Sequence, residues 1–358
     1  MKGLIIGSGV ILGLVLGFLP SFQRRKPIWW IFLSFLFMFV TIFLTFVPFV
    51  GSNFATLKFV AKNIPNFVGP LYFKVHDIQK FDSDPEKTTV SKIIVSNPRV
   101  EGVFDSLFVR GDLPKEFQIG EKLIAEVKYN PTTQHFEYLK TIAVNPLLVL
   151  PYVPQLGEQI RIMNFHVPCA WVAVVAYLIS MFFSIKFLRY HKFEDDDISS
   201  ASALLGTIFA ILATVTGMIW AKFNWGSFWN WDPRQTSIFV LLLIYFAYFV
   251  LRQSIDNAEM KARLSSVYSI VAFVTVPFLV FVMPRLLAGN HPGSANSGNA
   301  GPILSTQEGT LNLLQTFGFS FGFLSFTMLF FWLLGLKIRI NQIHKLILRQ
   351  ENVGILIK

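Results

Sequence analysis

Seven long apolar stretches, at 3–20, 28–50, 167–188, 202–221, 236–251, 264–283 and 312–336, constrain this chain more than any other feature. A helical span needs about 20 apolar residues to cross a bilayer core. Backbone in lipid must satisfy every N–H and C=O internally, which the α-helix does within one segment. The expected fold is therefore an α-helical polytopic membrane protein of about seven spans. Composition agrees, with 53% hydrophobic residues, 39 Phe and only 15% charged residues. The first stretch is Gly-rich and borderline in length. It reads as an uncleaved anchor more readily than a signal peptide, because no small-residue cleavage site follows Pro20. Without it, a six-span core remains.

The net charge of +10 does not point to nucleic acid, because the basic residues flank apolar stretches instead of forming an aromatic-interleaved patch. Arg24, Arg25 and Lys26 follow the first stretch. Lys186, Arg189 and Lys192 follow the third. Arg252, Lys261 and Arg263 lie between the fifth and sixth, and Lys337, Arg339, Lys345 and Arg349 follow the seventh. All fall on one side if every span is real, and that side is expected to be cytoplasmic. The opposite face then receives 51–166, 222–235 and 284–311.

Residues 51–150 differ in kind. Short alternating runs such as Lys92-Ile93-Ile94-Val95 and Lys122-Leu123-Ile124-Ala125-Glu126-Val127 alternate with turn signals at Asn97-Pro98 and Asn130-Pro131. They predict a small extracytoplasmic β domain, for which a barrel is one form. Residues 287–301, rich in Gly, Asn and Ser, read as a flexible loop. The single cysteine, Cys169, rules out an internal disulfide and any Cys-x-x-Cys chemistry. It reads as a small apolar helix residue, with iron ligation as the minor alternative.

Between two apolar stretches lies Trp225-Gly226-Ser227-Phe228-Trp229-Asn230-Trp231-Asp232-Pro233-Arg234. An interfacial belt collects Trp, but it needs no fixed spacing followed by an Arg. Stacked aromatic faces at a membrane surface suit a large, flat, apolar ligand with a polar edge, for which heme is the obvious candidate. Asp232, Pro233 and Gln235 read as N-cap, first helical residue and a capping-box variant. Arg234 opposes the helix dipole at that position. It either snorkels to headgroups or meets a carboxylate such as a heme propionate.

Topology sorts the six histidines. His191 and His344 fall beside basic residues, and His76 and His135 in the β domain, where solvated or structural roles are the default. His166 and His291 lie at membrane boundaries on the face of the tryptophan loop. His166 precedes Pro168, which fits the first turn of a helix, so His166 is expected at a helix mouth. It reads either as a metal ligand or as a helix-entry histidine bonded to a carbonyl. His291 reads either as a solvated loop histidine or as a ligand. As a pair, they can clamp heme iron axially.

At these residues the chain resembles the WWD heme-handling family of cytochrome c maturation, nearest its heme exporter protein C (CcmC) branch, with the CcsA branch next. Three pieces carry the resemblance: Arg161-Ile162-Met163-Asn164-Phe165-His166-Val167-Pro168, the stretch from Trp225 through Thr236-Ser237, and His291 before the last span. It covers about 28–50 and 155–337 of this chain. The resemblance implies a six-span core with a heme platform on the periplasmic face of the bacterial inner membrane. It also implies non-covalent heme b on His166 and His291, with Trp225, Gly226, Phe228, Trp229, Trp231, Asp232 and Arg234 as the binding loop. Implied partners are a periplasmic heme chaperone of the CcmE type, the ABC-transporter subunits of the maturation system and membrane lipid. The implied role is heme handover, a transfer more than a catalysis.

The chain departs from the family pattern in its extra segment 1–27 and in the insert 51–154, set between a first core span at 28–50 and the core 155–337. A basic tail, 338–358, follows. Leu113 to Glu121 resembles the chaperone's barrel, which implies an OB-like insert that assists heme transfer. Phe228 replaces one Trp of the usual motif. The alternative is a cytochrome c synthase component of the CcsA type presenting heme to apocytochrome thiols. Pro233 is a feature of that branch, while the lack of mid-span histidines argues against it. A solute transporter would carry charges within its spans, and these spans are nearly free of them.

Overall fold

The computed structural model describes residues 2–19, 25–81, 89–153, 157–296, 311 and 313–356. Arg24 and the 297–301 part of the expected loop lie outside them, as does the side chain of Arg349. The chain divides into two compact units, residues 43–160 and the combination of 1–42 with 161–358.

The larger unit is helical. Its helices are α1 (Lys2–Phe18), α2 (Ile28–Phe46), which continues past the unit's boundary, and, after the smaller unit's segment α3 (Phe54–Asn63), α4 (Met163–Tyr190) and α5 (Phe193–Trp225). There follow α6 (Pro233–Gln253), α7 (Ala258–Pro277), a π-helical turn at Phe278–Val282, the short α8 (Met283–Leu286) and α9 (Leu313–Leu356). Among the described residues, six helices are long and apolar enough to cross a membrane: α2, α4, α5, α6, α7 with its continuation to Leu286, and α9. α1 is apolar but shorter, at 17 residues.

The glycines that made α1 borderline have a packing role. Gly9, Gly13 and Gly17 recur every fourth residue and are buried. A Cβ at these positions would run into the Ser320 carbonyl, Thr327 and the Phe331 ring of α9. Small residues let helix backbones approach closely where lipid offers no hydrophobic drive. Ser320 Oγ donates to the Ile5 carbonyl across this seam at 2.7 Å. Lys26 Nζ and Trp30 Nε1 cap the end of α1 by donating to the carbonyls of Gly17 and Leu16. Lys26 is therefore buried against the helix end instead of standing as a free loop charge.

α4 starts earlier than the sequence suggests. A 3₁₀ turn at Gly157–Ile162 leads into it, so His166 sits in the first turn and Pro168 lies inside the helix. The proline marks no N1 position here. Its missing N–H leaves out the helical bond to the Asn164 carbonyl, and a Cβ added to Gly322 of α9 would come to 3.0 Å from that carbonyl. Cys169 is buried in the core of this unit, together with Tyr177, Tyr245 and Phe330.

The smaller unit is a β domain. β1 (Phe49–Gly51) pairs in parallel with β7 (Val149–Pro151). β2 (Val68–Phe81), β3 (Val90–Ser96), β4 (Phe104–Arg110), β5 (Lys122–Asn130) and β6 (His135–Val144) close a barrel in the order β2-β3-β4-β6-β5. The alternating runs seen in the sequence are β3 and β5. In β3 every second residue is buried, as a strand with one face in a core requires. The turn signals at Asn97-Pro98 and Asn130-Pro131 join β3 to β4 and β5 to β6. α3 is capped by the Asn53 side chain, which accepts from Thr56 N at 2.8 Å. It buries Phe54, Leu57 and Ala61 in the barrel core with Phe73, Leu107 and Phe136.

Candidate functional site

The site lies in the helical unit, where the start of α4, the end of α5, the start of α6 and the loop after α8 meet. His166 projects from the first turn of α4 to the last turns of α5. Its Nδ1 lies 2.9 Å from the Ala213 carbonyl and 3.2 Å from Thr216 Oγ1. A carbonyl only accepts, so Nδ1 carries the proton and Nε2 is left with a lone pair. Gly217 lets the ring lie flat on α5, since a Cβ there would sit 2.9 Å from His166 Cε1. The helix-entry reading of His166 holds: the ring is carbonyl-bonded at the start of α4, through Nδ1 and not Nε2.

His291 repeats the arrangement on a loop. Its Nδ1 lies 2.9 Å from the Pro292 carbonyl, again placing the proton there and the lone pair on Nε2. No described residue hydrogen-bonds Nε2 of either ring. Burial, with the charges of Arg234, His166 and Arg285 adding to it, pushes the His291 imidazole down to about 3, against a weaker opposing pull from the Pro292 carbonyl. The ring is therefore neutral at ordinary pH, the form that ligates metals.

The described part of the 287–301 segment is a loop, as expected, and its turns are closed by hydrogen bonds. Ser294 Oγ and N both donate to the His291 carbonyl, Ala295 N donates to Leu287 O, and Gly289 N donates to Asn296 Oδ1. Asp232 holds this turn in place. Its Oδ1 accepts from Arg234 N at 3.0 Å, the expected helix cap. Its Oδ2 accepts from Asn290 N at 2.7 Å and His291 N at 3.3 Å. Gly289 makes the approach possible, because a Cβ there would meet Asp232 Oδ2 at 2.6 Å. One carboxylate thus starts α6 and positions a histidine 59 residues away.

The tryptophan loop splits into two groups. Trp225 packs edge-on to Trp220, and both face the His291 ring, at 6.5 and 5.9 Å between centroids. Trp229 and Trp231 pack perpendicular to each other and against Phe239. Trp231 is 68% exposed and Phe228 50% exposed, so the second group and Phe228 form an outer shelf. Gly226 ends α5 at φ +79, and Trp231 also takes a left-handed φ of +54. That turn separates the two groups. Gln235 does not complete a capping box. Its Oε1 accepts from Asn230 N and its Nε2 donates to Phe228 O, so it braces the loop itself.

Arg234 Nε is buried without a hydrogen bond, and no ion pair reaches Arg234 or Arg285 among the described residues. Their charges repel each other, and both bear on His291. Arg285 donates to the Phe281 carbonyl from α8, which the Pro277–Pro284 stretch and its π turn set off from α7. Trp220 Nε1 is likewise buried without a partner. Trp220 and Arg285 escaped the sequence reading because neither belongs to a spaced motif. Trp225 lies five positions after Trp220, a repeat that is only visible once both lie on the same helix end. The other four histidines stand apart. His191 is the left-handed cap of α4 and His344 lies exposed on α9, while His76 and His135 pack beside Phe104 and Phe108 in the β domain.

Residues 127–350 match the family model described as heme exporter protein C. The chain is 32% identical over 127 residues to a heme exporter protein C of Bradyrhizobium diazoefficiens, covering 36% of this chain and 48% of that protein. It is 30% identical over 141 residues to one of Paracoccus denitrificans, covering 39% and 58%. A putative cytochrome c biosynthesis ccmC-like mitochondrial protein of Marchantia polymorpha is 32% identical over 133 residues, covering 37% and 56%. The chain thus spans about half the length of these curated relatives.

Proposed function

This chain belongs to the heme exporter protein C family, and from that premise we propose that it binds heme non-covalently, as heme b, and delivers it for cytochrome c maturation. The observation that carries the reading is the matched pair of imidazoles. Each commits Nδ1–H to a backbone carbonyl and so leaves Nε2 as the unprotonated nitrogen. Carbonyl partners of this kind fix the ring and raise its basicity as a metal ligand. Heme, as cargo, brings an iron that takes two axial nitrogens and an edge with two carboxylates. His166 and His291 hold the iron. Trp225 and Trp220 form the apolar wall beside His291. Arg234 and Arg285 face the propionates, which supply the counter-charge that two unpaired guanidiniums lack. Asp232 and Gly226 shape the cleft, while Phe228, Trp229 and Trp231 form the shelf that a receiving partner meets.

In this reading the site faces the periplasm from the bacterial inner membrane, and the lysine-rich helix ends face the cytoplasm. The receiver is a heme chaperone of the CcmE type, working with the ABC-transporter subunits of the maturation system. The five-stranded closed barrel is OB-like and serves as an aid to transfer. Non-covalent ligation permits release, which handover requires. The synthase-component alternative gains no support from Pro233, whose presence is explained by its place at the start of α6.

The test is to purify the protein in detergent after expression with ample heme and record oxidised and reduced visible spectra. A low-spin bis-histidine spectrum that changes in both His166→Ala and His291→Ala is the expected result. Heme-free protein, or spectra indifferent to both substitutions, overturns the assignment.

A further inference from the structure

At the end of the helical unit opposite the imidazoles, α5, α6, α7 and α9 leave a cavity of about 520 Å³, within the size range of small-ligand sites. Leu204 and Phe249 give it an apolar side, while Arg252, Lys261, Lys337 and Asn341 line it with polar groups. No carboxylate lines it.

The three acids in the first turns of α5 are already engaged. Asp196 holds Arg252 through two bonds of 2.7 Å, Asp195 holds Lys186 at 2.9 Å, and Asp197 holds Lys345 at 2.6 Å. Lys261 and Lys337 are half-buried, and no ion pair reaches either among the described residues. Two lysine side chains facing one cavity bring like charges to it, and an anion between them offsets that.

We propose that this cavity is a binding site for a phosphate-bearing anion, namely the headgroup of an anionic phospholipid. The phosphate sits between Lys261 and Lys337, with the Asn341 amide as a neutral donor. The glycerol and upper acyl chain lie along Leu204 and Phe249. A free phosphate shares the headgroup's charge but has no use for the apolar wall, and the cavity opens among apolar helices where lipid is the neighbour. Basic pockets between membrane helices bind anionic headgroups in this way. The site is independent of the heme reading, and its test involves no heme.

The experiment uses the full chain, stripped of lipid in detergent and titrated with phosphatidylglycerol, phosphatidylcholine or inorganic phosphate, with retained ligand counted by native mass spectrometry. Phosphatidylglycerol is expected to bind saturably and to weaken roughly 30-fold in Lys261→Gln/Lys337→Gln, from about 1 kcal/mol per lysine. Lys261→Arg/Lys337→Arg is expected to retain binding. Acylation of lysines in the unsubstituted protein, mapped by mass spectrometry, needs no variant to fold. There, phosphatidylglycerol should protect Lys261 and Lys337 more than phosphatidylcholine does. Binding indifferent to the glutamine pair, or lysines left unprotected, overturns the site. Protection by inorganic phosphate equal to that by phosphatidylglycerol overturns the lipid source.

Discussion

The two ends of the helical unit treat charge in opposite ways. At one end three consecutive acids in the first turns of α5 each take a cation from a different helix: Asp195 from α4, Asp196 from α6 and Asp197 from α9. At the other end no ion pair reaches Arg234 or Arg285 among the described residues. The acid between them, Asp232, gives both oxygens to backbone N–H groups. Ion pairs that close on themselves hold helices together. A surplus of one sign beside two neutral imidazoles is completed only by something that binds, which is why perturbed groups gather at functional sites.

The strongest test of this contrast removes a cation from the closed end. Arg252→Met leaves Asp196 buried without its partner, and breaking a buried pair costs about 3 kcal/mol or more. Thermal unfolding followed by circular dichroism should show the loss, while the heme spectrum of folded protein stays unchanged. Loss of heme in parallel would break the division between the ends. Next in size is Asp232→Asn, which keeps a competent helix cap but weakens the anchoring of Asn290 and His291. Support of this kind for a ligand is worth about 10–100-fold in metal affinity, so heme dissociation to an excess of apomyoglobin should quicken by that order with little change in unfolding.

Arg285→Gln removes one charge-assisted contact, and about 1.5 kcal/mol corresponds to roughly tenfold faster heme loss in the same assay. An unchanged rate would leave Arg234 alone facing the cargo. The smallest effect is expected from Trp231→Phe. This exposed ring packs with Trp229 and Phe239 and has no contact with the histidines. Heme retention should change less than about twofold, within the range of surface substitutions, while transfer to a partner slows. A large loss of heme would return Trp231 to the inner wall.

Much of the fold could be read before any coordinates. Long apolar runs can only be helices in lipid, and short alternating runs bounded by turn signals marked β3 and β5. The Asp232-Pro233 cap was legible because capping is local: donor and acceptor lie two residues apart. Gln235 and Pro168 show where local rules stop. Gln235 had the right spacing for a capping box, but the left-handed turn at Trp231 brings Asn230 N to its side chain instead. Pro168 looked like a helix start, yet the preceding 3₁₀ turn and the packing of α9 carry the helix five residues further back.

The sequence by itself determined the helical class, the β insert, the tryptophan loop and the two candidate histidines, because hydropathy period, capping and residue chemistry act over a few neighbouring residues. Only the tertiary structure decided which nitrogen each imidazole offers, since the carbonyl that fixes the His166 tautomer is 47 residues away. It also decided that the tryptophans serve two groups, that Trp220 and Arg285 join the site, and that the glycines of α1 are a seam for α9. Each of these depends on two distant segments meeting, and no local pattern encodes the partner across such a contact.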